Sequence, residues 1–179
     1  MGLFLNLGIV KNCDSKKAEC YLKEWAGSKN TDIIPEECKI DSQNESVVIE
    51  LNEYGADGEE FFKYVSEKTD GTAMYLYIYD SDFWGYFLYD KGEEIDVFTP
   101  IPNYFEEDIE DVEKYAGNAD IIAKYFNVNK DEIEKFLVIW PEDEDEYEED
   151  CDNEESEYYF DEWGLVDFMK VLGYKYDGE

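Results

Sequence analysis

The sequence contains no histidine and no arginine; all 15 of its basic residues are lysines. Without imidazole there is no side chain whose unperturbed charge changes near neutral pH, which excludes histidine-based triads, proton shuttles and metal sites. Without guanidinium there is no planar fork to clamp phosphate in two places at once. Cysteine is scarce as well. The spacings Cys13-x6-Cys20 and Cys20-x17-Cys38 fit neither a zinc ribbon nor a zinc finger, and no CxxC pair occurs. Cys13, Cys20, Cys38 and Cys151 therefore read as ordinary reduced thiols, with Cys20 expected on the apolar face of a helix. No apolar run approaches the ~18 residues of a membrane span. Met1–Val10 is apolar but lacks the basic start and small-residue cleavage site of a signal peptide. The expectation is a cytoplasmic protein that has no membrane partner.

What the chain has in excess is carboxylate. Asp and Glu number 48, and the formal net charge at pH 7 is -33. At that charge duplex nucleic acid and an anionic membrane surface repel the chain before local contacts can form. Acidity of this kind often accompanies disorder, but 44% of the residues are hydrophobic and 17% aromatic. Those residues supply enough apolar surface to build a core. A length of 179 residues suits one compact domain spanning 1–179.

Leu3–Val10 reads as a central buried strand. Asp14 or Ser15 then caps a helix carrying Ala18, Tyr21, Leu22, Trp25 and Ala26, with Gly27 as its stop. Extended pieces follow, weak at Glu37–Asp41 and firm at Ser46–Leu51 with its β-branched Val47, Val48 and Ile49. Asp57-Gly58-Glu59-Glu60 resembles a capping box, opening a helix with Phe61, Phe62 and Val65 that Asp70-Gly71 closes. Met74, Leu76 and Ile78 alternate with Tyr75, Tyr77 and Tyr79, so both faces of that strand are covered. Turns at Asp80-Ser81-Asp82 and Asp90-Lys91-Gly92 lead to strands at Phe83–Tyr89 and Glu94–Phe98, and Thr99-Pro100-Ile101-Pro102 ends the sheet. Beyond it the pattern is helical: Asn118 caps Ala119–Phe126, Asn129 opens Glu132–Ile139, and Asp161–Leu172 stops at Gly173. The order predicts an α+β fold, a mostly antiparallel sheet of five to six strands with helices packed on one face and a helical C-terminal part.

Three constellations invite a functional reading. Ile122 to Ile133 imitates a helix-turn-helix, but its second helix would bring Asp131, Glu132 and Glu134 to the major groove against only Lys130 and Lys135. That charge argues against nucleic acid. Asp80-Ser81-Asp82 follows a strand and could chelate Mg²⁺, Mn²⁺ or Ca²⁺ through hard oxygens, with Glu93 or Asp96 assisting, as in a metal-dependent hydrolase or transferase. The same tripeptide is also ordinary turn chemistry, and no glycine-rich phosphate cradle accompanies it. The acidic stretch 142–162 holds fourteen carboxylates and no lysine, with Trp140, Tyr147, Tyr158, Tyr159, Phe160 and Trp163 among or beside them. It reads either as a solvated loop at 142–157 or as a surface for a basic protein, with Asp143, Glu144, Asp145, Glu146, Tyr147, Glu148, Glu149 and Asp150 as the contact residues. It lacks the register of an EF-hand.

Trp84-Gly85-Tyr86-Phe87-Leu88-Tyr89, Lys91-Gly92, Asp96, Phe98, Pro102-x-Tyr104-Phe105 and Gly117-Asn118-Ala119-Asp120 together resemble a group of uncharacterised small acidic bacterial proteins. In that group a strand–turn–strand precedes a Pro-x-Tyr-Phe loop and a helix opened by Gly-Asn. The resemblance covers the middle of the chain and rests on packing motifs, so it brings over no catalytic residue. Some small acidic proteins of similar construction serve as immunity proteins of bacterial toxin systems. The resemblance thus implies a non-catalytic inhibitor, without cofactor or metal, that occludes a basic partner such as a toxin or nuclease. The other classes left open are the Asp80/Asp82 enzyme and a housekeeping domain whose acidity adapts it to salt.

Overall fold

The structure, a computed structural model, describes residues 2–52, 57–104, 111–140 and 163–176. Six strands form one antiparallel sheet: β1 (Leu5–Val10), β2 (Lys39–Gln43), β3 (Ser46–Glu50), β4 (Thr72–Tyr79), β5 (Phe83–Asp90) and β6 (Glu93–Phe98). Their order across the sheet is β2-β3-β1-β4-β5-β6, which places β1 inside it as its continuous apolar run requires. The helices are α1 (Ser15–Ser28), α2 (Gly58–Thr69), α3 (Ala119–Phe126), α4 (Lys130–Glu134) and α5 (Trp163–Val171). The fold is α+β.

The chain packs as two compact units, and the division passes through β4, β5 and β6. The larger share of the sheet, Leu3–Tyr77 with Tyr86–Asp96, makes one unit. In it β1 runs antiparallel to β3 with Gly8 opposite Ile49, and β2 runs antiparallel to β3 with Ile40 opposite the same residue. The Lys11 N–H donates to the Thr72 carbonyl at 3.0 Å, tying the end of β1 to the start of β4. The period of two then sorts the side chains. Val10, Val47, Ile49, Ala73, Tyr75 and Tyr89 join Leu22 and Trp25 of α1 and Phe61, Phe62 and Val65 of α2 in one buried cluster. Leu7, Ile9, Val48, Met74, Leu76 and Leu88, alternating with them, are buried as well. Rings pack this core from helix to sheet: Trp25 lies 6.0 Å from Phe61, Phe61 5.2 Å from Phe62, and Phe62 stacks on Tyr75 at 5.7 Å.

Gly8 lets that contact form, because a Cβ there would run into the Phe62 ring and the Met74 carbonyl. The buried Ser66 hydroxyl donates to the Gly71 carbonyl at 2.6 Å and accepts from the Gly92 N–H at 3.1 Å, fastening the end of α2 to the β5–β6 turn. Asn52 fastens the segment 29–34 that follows α1, accepting from the Ile34 N–H and donating to the Asp32 carbonyl, both at 2.9 Å.

Ile78–Gly85 and Val97–Glu179, with Met1–Gly2, make the other unit. Its core centres on Trp84, whose ring lies 5.3 Å from Phe98 and 5.0 Å from Phe168, while Phe136 meets Phe168 at 5.5 Å. Leu165, Phe168, Met169 and Leu172 bury the apolar stripe of α5, and Gly173 takes φ 88 just beyond it. Past Phe98 the prolines end the strand, although Thr99 N–H still reaches the Tyr115 carbonyl and Gly117 N–H the Val97 carbonyl.

Several local expectations give way here. Helix α1 continues through Gly27 to Ser28, because the Lys29 N–H and the Ser28 hydroxyl both find the Trp25 carbonyl. Cys20 is exposed, since the buried stripe of α1 is Ala18, Leu22 and Trp25 and position 20 falls off it. Asp57 does precede α2, but at φ -92 and ψ 18 its side chain makes no capping hydrogen bond. Helix α4 ends at Glu134 and not at Ile139, for the chain beyond it straightens and Trp140 N–H donates to the Pro100 carbonyl at 2.8 Å.

Candidate functional site

Asp143, Glu144, Asp145, Glu146, Tyr147, Glu148, Glu149 and Asp150, like the whole of 141–162, lie outside the described residues. Among the flanking aromatics, Trp140 is half-buried and lines a small cavity with Trp84, Phe98, Pro100 and Phe136. That cavity holds ≈ 10 Å³, about the room of one water and too little for a substrate.

The Asp80-Ser81-Asp82 sequence does form the β4–β5 turn. The Asp82 N–H donates to the Tyr79 carbonyl at 2.9 Å, and Asp80 and Ser81 both sit at positive φ, 51 and 61. Both carboxylates are exposed, and Gly2 packs against Asp80 so closely that a Cβ there would overlap it. Glu93 follows the Lys91-Gly92 turn and belongs, with Asp96, to the other unit. Asp96 accepts a hydrogen bond from the Tyr86 hydroxyl at 2.6 Å. Among the described residues no group of three or more Asp, Glu or Cys side chains is arranged to hold a metal ion.

An aromatic cluster stands beside this turn. Tyr104, in the short 3-10 turn Pro102–Tyr104, sets its ring 5.4 Å from Tyr79 and 5.1 Å from Phe83, edge-on to both. Tyr79 and Phe83 are themselves 5.7 Å apart. Partial desolvation raises the Tyr104 hydroxyl above its ordinary pKa, and Tyr79 and the charges of Asp82 and Asp80 add to that. The sequence holds the parts, a hairpin flanked by aromatics and a proline-led Tyr after the sheet, but nothing local that joins them.

Cys13 and Cys38 are poor nucleophiles. Burial raises the Cys13 pKa, and the neighbouring Asp14 carboxylate adds to it. Burial likewise raises Cys38, with Glu37, Glu36 and Glu50 pushing the same way. Both thiols therefore stay protonated at neutral pH. Cys13 also lines an open polar groove with Asn12, Asp14, Asn44 and Glu45.

Six of the lysines engage carboxylates of the chain itself. Lys17, Lys23, Lys39, Lys68, Lys91 and Lys130 each stand within 4.0 Å of one. Lys130, which a helix-turn-helix would have needed for phosphate, is held by Asp120 at 2.9 Å and Glu134 at 3.3 Å, and α4 itself has five residues. Among the described residues no helix is long and apolar enough to cross a membrane. No protein-family model, curated protein or solved structure matches the chain.

Proposed function

We propose that this chain is a non-catalytic binding protein of the cytoplasm that acts as an immunity protein or inhibitor, occluding a basic partner protein such as a toxin or nuclease. One observation carries the reading: 48 carboxylates face 15 lysines, with fourteen of the carboxylates concentrated in 142–162. Six of the lysines are already drawn to neighbouring carboxylates, so the field a partner meets is acidic. Such a field steers a cationic surface at long range and speeds encounter, while aromatic side chains supply the short-range anchoring. An acidic face of this density competes with nucleic acid for a cationic cleft, which is how occlusion would silence a nuclease. The resemblance of the middle of the chain to small acidic bacterial proteins points the same way.

The test is a low-salt pull-down from the native lysate, eluted by a salt gradient and identified by mass spectrometry. A single basic protein retained in stoichiometric amount, and inhibited by this chain, is the expected outcome. Changing the acidic side chains of Glu142–Glu157 to their amides should then slow association by about tenfold or more while leaving dissociation nearly unchanged. A retained fraction made only of ribosomal and other generic cations would sink the proposal.

A further inference from the structure

We infer that Tyr104 and the β4–β5 turn form a receptor for an arginine side chain of a basic protein. This rests on the binding function proposed above, and it assigns a contact to residues outside the acidic stretch. Tyr104 is 46% exposed, the only aromatic ring among the described residues to stand so far out of the surface. Its ring is nonetheless fixed, braced edge-on by Tyr79 at 5.4 Å and Phe83 at 5.1 Å. A braced ring loses little freedom when a partner arrives, so more of the contact energy appears as affinity.

The electrostatics specify what that ring accepts. Asp80 and Asp82 are exposed beside it, and neither joins an ion pair among the described residues, unlike the carboxylates that hold the six paired lysines. The sequence has no lysine between Lys68 and Lys114 other than Lys91, which lies at the far end of β5. An aromatic face with carboxylates at its edge suits a guanidinium, which stacks on the ring while its N–H groups reach a carboxylate. An ammonium can take the charge but not the stacking. An apolar partner would leave both carboxylates desolvated and unpaired.

The experiment is an NMR titration of the ¹⁵N-labelled full chain with a blocked hexa-arginine peptide at moderate salt. Shifts are expected at 79–83 and 104, with hexa-lysine binding more weakly there. Asp80→Asn with Asp82→Asn should weaken binding at this site about fivefold, and Tyr104→Ala about as much. Tyr104→Phe should stay within about twofold, as should the equal-charge control Glu36→Gln with Glu37→Gln on the other unit. Asparagine tolerates the left-handed backbone of position 80, so the aspartate variant keeps the test sound if Tyr104→Ala misfolds. Shifts confined to 142–157 would overturn this site and leave the proposed function standing. Concentration-dependent shifts at 104 without peptide would make a second copy the occupant and overturn it too. No binding of either peptide anywhere would remove both readings.

Discussion

Gly8 and Gly27 are the same residue type under opposite constraints. A methyl at Gly8 meets the Phe62 ring and the Met74 carbonyl, and the second of these is backbone of the adjacent strand. Gly8→Ala should therefore cost about 2–3 kcal/mol, read as a lower urea midpoint at unchanged slope. Gly27 lies inside α1 with nothing near its missing Cβ, so Gly27→Ala should stabilise by about 0.5–1 kcal/mol. If both variants lost stability equally, the Phe62 contact would not be what forbids a side chain at position 8. Tyr75 and Tyr89 carry the pH dependence at this scale. Burial raises both phenols well above the ordinary tyrosine value, with Tyr77 and Glu59 contributing at Tyr75 and Glu59 and Glu94 at Tyr89. A folded pKa above the unfolded one means their contribution is complete below about pH 10 and falls away as pH rises beyond it. An ultraviolet titration should show exposed tyrosines ionising first, with the Tyr75 and Tyr89 phenolates arriving only as the far-ultraviolet helix signal collapses. Smooth ionisation of all tyrosines in a folded chain would contradict their burial.

Among the elements, the turns of the β2–β3, β4–β5 and β5–β6 hairpins show what local sequence does and does not reveal. Asn44 and Glu45, Asp80 and Ser81, and Lys91 and Gly92 all take positive φ, the signature of the mirror-image turns that match strand twist. Only the last pair carries a glycine, which is why the β5–β6 hairpin was plain in the sequence and the β2–β3 hairpin was not. Glu45 sits at φ 60 with a Cβ that this region penalises, so Glu45→Gly should raise stability by about 1 kcal/mol, measured as a higher melting temperature. A fall would mean the Glu45 side chain makes a contact worth more than the backbone strain. Period-two and period-3.6 patterns were legible because burial enforces them: the alternation of β4 and the stripes of α3 and α5 follow directly from which side chains are buried. Ser66 and Asn52 were not legible. A serine late in a helix and an asparagine after a strand look like surface residues, and only the long-range partners Gly92 and Ile34 make them structural. Cap sites shared this fate in part, since Asn118 and Asn129 accept N–H groups as their sequence suggests while Asp57 has its backbone turned away from extended geometry.

For the molecule as a whole, charge is what the sequence states most loudly and structure answers least. A net charge of -33 fixes the sign of the field around the molecule, but it has no period and so gives no face, no register and no element. Charge meets a shaped surface at Tyr104 and the β4–β5 turn. The aromatic bracing there joins Tyr79 to Tyr104, residues far apart in sequence, and no local pattern announces such a pair. The same charge makes a prediction about stability whose sign is decided by comparing two effects. The ion pairs are exposed, so solvent already screens them and salt would weaken what little they contribute. Repulsion among the surplus carboxylates opposes compaction throughout, and at about 0.1 M salt the screening length shrinks to ~10 Å, so all but the nearest repulsions are damped. The melting temperature should accordingly rise from low salt to about 0.5 M NaCl, by several degrees for a chain of this size. A flat or falling curve would mean the carboxylates are already balanced within the fold. MgCl₂ matched for ionic strength separates screening from coordination. Equal curves are expected, because Asp80 and Asp82 have no third ligand among the described residues. An extra Mg²⁺ gain that Asp80→Asn abolishes would instead make the turn a cation site, and the arginine it is proposed to receive would have to compete with a metal for the same two carboxylates.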